Sequence, residues 1–270
     1  MGRRLKEVVG QMLAVDRRHQ ILERVADQQT IQVGELARAL RVSEMTIRRD
    51  IHRLERDGFL RRTYGGATAH LTRALELAFN ARALEHAAAK RRIGMEAARL
   101  VEGASTLFVG VGTTAEHFAR FLPARDNIVV ITGSLPIASL LGTRSVRAVV
   151  LGGVVQREEL ACSGPIAAAS VARYHADVAV IGAAGVSARS GITELEDDVA
   201  EINRQMMERS DAVMVIADGS KLGSVARAAV SPMTSVNTLV TDKSAKPAEL
   251  EALRALGIRV VLTGSEGGST

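Results

Sequence analysis

The chain has 270 residues, of which 47% are hydrophobic and 24% charged, and its net charge is +5. That length holds two ordinary domains with buried cores. With no Trp and 3% aromatic residues, it lacks the stacking platforms that grip single-stranded nucleic acid. One cysteine, Cys162, excludes an internal disulfide and fits a reducing, cytoplasmic compartment. No apolar run is long enough to span a bilayer, and nothing near Met1 has the pattern of a signal peptide.

Residues 1–16 are expected to be a flexible basic tail, or a start assigned too early with Met12 as the first residue. Arg17 to Asp27 predicts a helix with Ile21, Leu22 and Val25 facing inward. Val33 to Leu40 predicts a second, followed by the turn Arg41-Val42. The stretch from Ser43 to Gly58, S-E-M-T-I-R-R-D-I-H-R-L-E-R-D-G, predicts a third helix with both ends marked. Ser43 is an N-cap, Glu44 suits the helix dipole, and Gly58 is placed to end the helix. Ile47, Ile51 and Leu54 form one apolar stripe. Arg49, His52 and Arg56 lie opposite, with Thr46, Arg48 and Arg53 on the flanks.

Two helices across a tight turn, the second rich in Thr and Arg at its start, form the helix-turn-helix layout. Its second helix enters the major groove by its N-terminal end. Phe59 to Thr63 predicts a short strand whose Arg61 and Arg62 form a phosphate-touching wing, and Tyr64 to Ala67 a turn out of the domain. The charge agrees. Residues 1–73 hold 15 Lys and Arg against 9 Asp and Glu, net +6, and residues 74–270 hold 20 against 21, net −1. The positive charge therefore gathers on the first domain, as a nucleic-acid footprint requires. The expected DNA contacts are Ser43, Thr46, Arg48, Arg49, Arg53, Arg61 and Arg62. Arg49 is expected at a base edge, and Arg48, Arg61 and Arg62 at phosphates.

From Leu75 to Val101 the pattern is helical, with a break expected near Lys90. Residues 74–104 form a connecting region, and the second domain spans 105–263. There, short β-branched runs (Thr106–Val109, Ile128–Thr132, Val146–Leu151, Val178–Gly182, Ala212–Ala217, Thr238–Thr241, Arg259–Leu262) alternate with helical stretches. Apolar strands separated by amphipathic helices predict a doubly wound, mostly parallel α/β sheet. Residues 264–270, rich in Gly and Ser, are expected to be a disordered tail.

In such sheets ligands sit outside the carboxyl ends of the strands. The turn Val109 to Thr114 has the clearest chemistry. Gly112 lets backbone approach an anion, Thr113 and Thr114 offer hydroxyls, and the next helix presents free N–H groups. Lys221 adds a cation from another strand end. Ser134, Gly152, Gly153, Gly182, Gly185 and Asp218 complete the expected effector-binding set. The six histidines show no metal-ligand spacing with one another or with Cys162, and no cofactor is implied.

The motifs R-x-x-x-I-x-x-x-V (Arg17, Ile21, Val25), S-E-M-T-I-R-R-D-I (Ser43 to Ile51) and L-x-x-x-G-F-L-x-R-x-Y-G-G-A (Leu54 to Ala67) resemble the N-terminal domain of DeoR-family bacterial transcriptional repressors. The resemblance continues through G-T-T (Gly112 to Thr114), L-G-G (Leu151 to Gly153) and A-D-G-S-K-L-G (Ala217 to Gly223). It implies a winged helix-turn-helix joined to a sensor domain similar to ribose-phosphate isomerases. The expected partners are double-stranded operator DNA, a small phosphorylated, sugar-phosphate-like effector, and further copies of the chain as a homodimer or homotetramer. The chain departs from the family at Gly110 and Val111, where an acid and a Ser are usual, at Gly133 in place of Asn, and over Asp198 to Asn203. The alternative is a sugar-phosphate isomerase-like enzyme using Asp218, Glu194, Glu196, Asp197 or Asp198. The missing acid before G-T-T weakens that alternative, and Glu194 to Asp198 are expected to be a solvated acidic loop.

Overall fold

The computed structural model describes residues 30–56, 60–63, 65–69, 85–157 and 159–264, with positions 17, 18, 20, 21, 24, 25, 82 and 83. The expectations for the two tails, for residues 74–81, and for Leu22, Gly58, Phe59 and Tyr64 fall outside them. The chain forms two units, dividing between Arg82 and Ala83.

In the first unit, β1 (Thr30–Gln32) leads into α1 (Val33–Ala39) and α2 (Glu44–Arg56), then β2 (Leu60–Thr63) and β3 (Gly66–Ala69). The predicted turn between the helices holds Arg41 at a φ of 53°. Ile47, Ile51 and Leu54 are buried against Ile21, Val25, Leu36 and Leu60, so the α2 stripe is the core-facing stripe. Two features differ from the sequence reading. Gly66 and Ala67 do not turn out of the domain but begin β3, which pairs with β2. A strand the reading lacked, β1, pairs with the other edge of β3. Three residues are too few to show a period of two.

The second unit begins with α3 (Ala87–Leu100). The expected break near Lys90 lies instead at His86, whose φ of 53° starts the helix. Then come β4 (Thr106–Val109), α4 (Thr113–Phe121), β5 (Val129–Thr132), α5 (Leu135–Leu141), β6 (Arg147–Val150), β7 (Val154–Gln156), β8 (Ala161–Ser163), α6 (Pro165–Val171), β9 (Ala176–Ile181), β10 (Gly185–Ser187), β11 (Gly191–Glu194), α7 (Asp197–Glu208), β12 (Ser210–Ile216), β13 (Ala228–Ser231), β14 (Thr238–Asp242), α8 (Pro247–Ala255) and β15 (Arg259–Thr263).

Seven strands form one sheet in the order β15-β14-β12-β9-β4-β5-β6, every pair parallel. The chain starts at β4, moves outward to β6, returns to the other side of β4 as β9, and continues to β15. This is the doubly wound α/β plan. Alternate strand residues face opposite layers. Leu107, Val109, Val180, Ile216 and Val240 pack with α3, α4 and α5. Phe108, Ile131, Ile181, Val215 and Leu239 pack with α6, α7 and α8. Both faces are thus covered, which explains the near-continuous apolar strands. At the feet of β4 and β9, Asp177 accepts N–H groups of Ser105 at 2.7 Å and Thr106 at 3.0 Å. Those donors hold its carboxyl below the usual range. Two small antiparallel sheets, β10-β11-β13 and β7-β8, sit beyond the strand ends.

Gly94 sets how closely α3 meets α4: a Cβ there would lie 2.6 Å from the His117 carbonyl carbon and the Phe118 nitrogen. Gly94→Ala should therefore lower the urea-unfolding free energy by about 2 kcal/mol through overpacking. Gly103→Ala, where a Cβ meets nothing within 4 Å, serves as the neutral control.

Candidate functional site

The first candidate surface is the outer face of α2. Ser43 caps the helix: its Oγ accepts the Thr46 N–H at 3.2 Å and lies 2.9 Å from the Thr46 hydroxyl. The apolar stripe faces inward, so Met45, Arg49, His52, Arg53 and Arg56 are exposed. A concavity of about 670 Å³ opens along this face, lined in part by Thr46, Arg48, Arg49, Arg53 and Arg62. Arg48 pairs with Glu44 at 3.3 Å and Arg62 with Glu55 at 2.6 Å. Such exposed pairs are worth little, so either arginine can exchange its carboxylate for a phosphate at small cost. Arg49 forms no ion pair among the described residues. Arg61 lies on β2, and its side chain is outside the described residues.

The sequence reading missed two features of this face. Asp50 is 5% exposed and accepts the Arg17 Nε–H at 2.6 Å. This buried pair ties α2 to the helical residues before β1. Met45 is 67% exposed, although it sits one residue from the cap. Its visible signal was an apolar residue outside the core stripe.

The second candidate surface is the crevice at the carboxyl ends of β4, β9 and β12. These are neighbouring strands, and the direction of winding reverses between β4 and β9. The Gly110 N–H donates to the Val180 carbonyl at 2.9 Å. Gly112 then takes a φ of 103°, and a Cβ there would meet nothing within 4 Å. Glycine is thus required by backbone conformation, and the space beside it is open. Thr113 and Thr114 begin α4, a nine-residue helix, where backbone N–H groups lack intrahelical partners.

Gly182, at the end of β9, packs against the Val111 carbonyl, 2.9 Å from where its Cβ would stand. Gly185 packs against Ser224 and Thr193. At the end of β12, Asp218 caps the turn Gly219–Lys221, accepting from the Ser220 N–H at 3.1 Å. Asp242 accepts the Gly219 N–H at 2.7 Å and the Ser244 N–H at 3.1 Å. Burial alone would raise the Asp242 carboxyl, but these donors, the Ser244 hydroxyl and nearby Arg92 hold it below the usual range. Lys221, half-buried, is carried on this braced turn.

Three expected effector residues follow β5 and β6, on the other side of β4. Ser134 is fully buried and caps α5, its Oγ accepting the Ile137 N–H at 3.4 Å. Gly153 packs against the Ser163 carbonyl beside β8, and Gly152 against Ile166. The structure thus brings Gly112, Thr113, Thr114, Gly182, Asp218 and Lys221 to the ends of β4, β9 and β12, and Ser134, Gly152 and Gly153 to the ends of β5 and β6 beside the β7–β8 hairpin.

Of the acidic stretch, Asp197 and Asp198 are exposed at the start of α7 as expected, but Glu194 departs from expectation. Glu194 is not in a solvated loop: it ends β11, is 8% exposed, and accepts the Asn203 amide at 3.2 Å. The Oδ1 of Asn203 in turn lies 3.2 Å from where a Cβ on Gly110 would stand. Lys90 on α3, which the sequence reading took only as a helix break, is 4% exposed. Its charge, with those of Arg120 and Arg91, adds to desolvation in lowering the His117 pKa. Among the described residues, no three His, Cys, Asp or Glu side chains gather to hold a metal ion. None of their helices is long and apolar enough to cross a membrane.

Comparison with known families matches residues 17–72 to the DeoR-like helix-turn-helix domain and residues 85–243 to the DeoR C terminal sensor domain. Over 250 residues the chain is 30% identical to YulB, an uncharacterised HTH-type transcriptional regulator of Bacillus subtilis strain 168, covering 92% of this chain and 96% of that protein. It is 29% identical to the HTH-type transcriptional repressor CsqR of Escherichia coli K12, over 91% of this chain and 94% of the relative. Among solved structures, ribose 5-phosphate isomerase A of Methanocaldococcus jannaschii aligns with 49% of this chain and 52% of its own, at 20% identity and a TM-score of 0.36.

The bracing of the Lys221 turn has a measurable consequence. The Asp242 carboxyl is depressed in the folded state, so its stabilisation is complete above the ordinary carboxylate pKa of about 3.9 and fades as pH falls through the folded value. Asp242→Asn should lower the melting temperature at pH 7. The gap to wild type should then narrow as pH drops below about 4. A gap constant with pH would contradict this.

Proposed function

The chain belongs to the DeoR family of transcriptional regulators, and from that premise we propose that it represses transcription by binding operator DNA and responds to a phosphorylated, sugar-phosphate-like effector. The observation that carries the effector reading is the Gly112–Thr114 turn: left-handed backbone with open space beside it, opening a helix at the point where the sheet reverses its winding. The turn suits an anion because the first N–H groups of α4 lack intrahelical partners and Thr113 and Thr114 carry hydroxyls at that end of the helix. Lys221 supplies the cation. Strands β4 and β12 are two spacings apart, about 10 Å, so one small ligand can touch both turns. Gly182 permits the close approach of loops between them, and Asp218 holds the Lys221 turn in place.

On the DNA side, Arg49 reads a base edge from the outer stripe of α2. Ser43 and Thr46 contribute from the first turn, while Arg48, Arg53, Arg61 and Arg62 hold phosphates. A single module of this kind buries little surface, which supports a homodimer or homotetramer spanning repeated half-sites. Effector control then follows from differential affinity: a ligand that binds one conformational state better shifts the population. The buried, amide-bonded Glu194 and the absence of an acid before Gly112-Thr113-Thr114 favour sensing over turnover.

Two measurements test this reading. Arg49→Ala should weaken binding to a cognate duplex by roughly 1–3 kcal/mol more than binding to random DNA. Equal losses on both duplexes would remove Arg49 from the base-reading role. A thermal-shift screen of pentose and hexose phosphates should find a ligand that stabilises the chain by about 2.7 kcal/mol at a hundred times its dissociation constant. The gain should vanish in Lys221→Ala. Steady conversion of any of these sugar phosphates would instead make the second unit an enzyme.

A further inference from the structure

We infer that Met45 reads thymine 5-methyl groups in the major groove of the operator. This inference rests on the DNA-binding reading and names what its most exposed apolar side chain recognises. The apolar residues Ile47, Ile51 and Leu54 of α2 are at most 4% exposed, whereas Met45 is 67% exposed. At about 100° per residue, Met45, Arg49 and His52 fall on one stripe, while Ile47 lies nearly opposite Met45 and faces the core. Met45 therefore stands in the first turn of the helix, the part of a recognition helix that lies among the base edges. It lines the same concavity as Thr46 and Arg49.

A neutral thioether gains nothing from phosphates. Of the groups displayed in the major groove, the thymine methyl is the apolar one. The unbranched, polarizable Met side chain adapts to such a contact without a fixed rotamer. Arg49 and Met45 then divide the task, the first reading hydrogen-bond acceptors and the second reading methyl groups.

The test uses the full chain and duplexes selected by it from a random pool. Each thymine of the selected half-site is replaced in turn by deoxyuridine, which removes only the methyl group. Wild type should lose roughly fourfold in affinity at one such position, the worth of one buried methyl, with its salt slope unchanged. Met45→Ala should bind the thymine and uracil duplexes equally, while Thr46→Ser should keep the wild-type discrimination. Indifference of wild type at every thymine would overturn the assignment and leave DNA binding intact. So would a Met45→Ala variant that still discriminates, or a Thr46→Ser variant that has stopped. If wild type enriches no duplex at all, the DNA-binding reading falls and the role of Met45 with it.

Discussion

The reversal of winding between β4 and β9 governs the second unit. A parallel strand needs a crossover to reach its neighbour, and every crossover here except that from β12 to β14 buries an α-helix against one face of the sheet. Because β5 and β6 build in one direction and β12, β14 and β15 in the other, the crossovers diverge at β4 and β9 and leave their carboxyl ends uncovered by helices. What fills that gap is backbone: the Gly110–Val180 hydrogen bond, the approach of Gly182 to the Val111 carbonyl, and the open side of Gly112. The chemistry gathered there follows from topology. The same three turns placed on distant strands would not face one ligand.

The first unit relies on a different constraint. A reading helix must hold its orientation while its outer face is stripped of water by DNA. Here the inner face is fixed by Ile47, Ile51 and Leu54 and by the Arg17–Asp50 pair. A buried charge left without its partner costs about 3–5 kcal/mol, so this pair fixes the helix more firmly than the exposed Arg48–Glu44 and Arg62–Glu55 pairs beside it. The arginines of the first unit therefore differ in kind: exposed ones on α2 and the wing that can change partners, and the partly buried Arg17, which cannot leave the buried Asp50 without loss.

Much of this was legible from residue patterns. All seven strands of the parallel sheet appear as β-branched runs, because the inner strands are covered on both faces and are apolar over most of their length. The cap at Ser43 and the stripe on α2 were equally plain. Short antiparallel elements were not. β1, β7, β10 and β11 span three or four residues, too few to show an alternation of apolar and polar positions. Gly66 looked like a second turn glycine, yet it stands where β3 passes so close to β1 that a Cβ would meet the Ile31 carbonyl. The depth of Lys90, the burial of Glu194 and the contact between Asn203 and the end of β4 depend on contacts between elements distant in sequence. Local spacing does not encode them.

The central claim is that a small anion held at the Gly112 turn alters the affinity of the chain for DNA. It is tested most directly by measuring binding of the full chain to a selected duplex with and without each of a set of sugar phosphates. The account predicts that at least one changes the affinity about tenfold, a common size for coupling between sites, and that Gly112→Ala, strained at a φ of 103°, abolishes the change while still binding the duplex. An unchanged affinity with every sugar phosphate, or an equal response in Gly112→Ala, would contradict it.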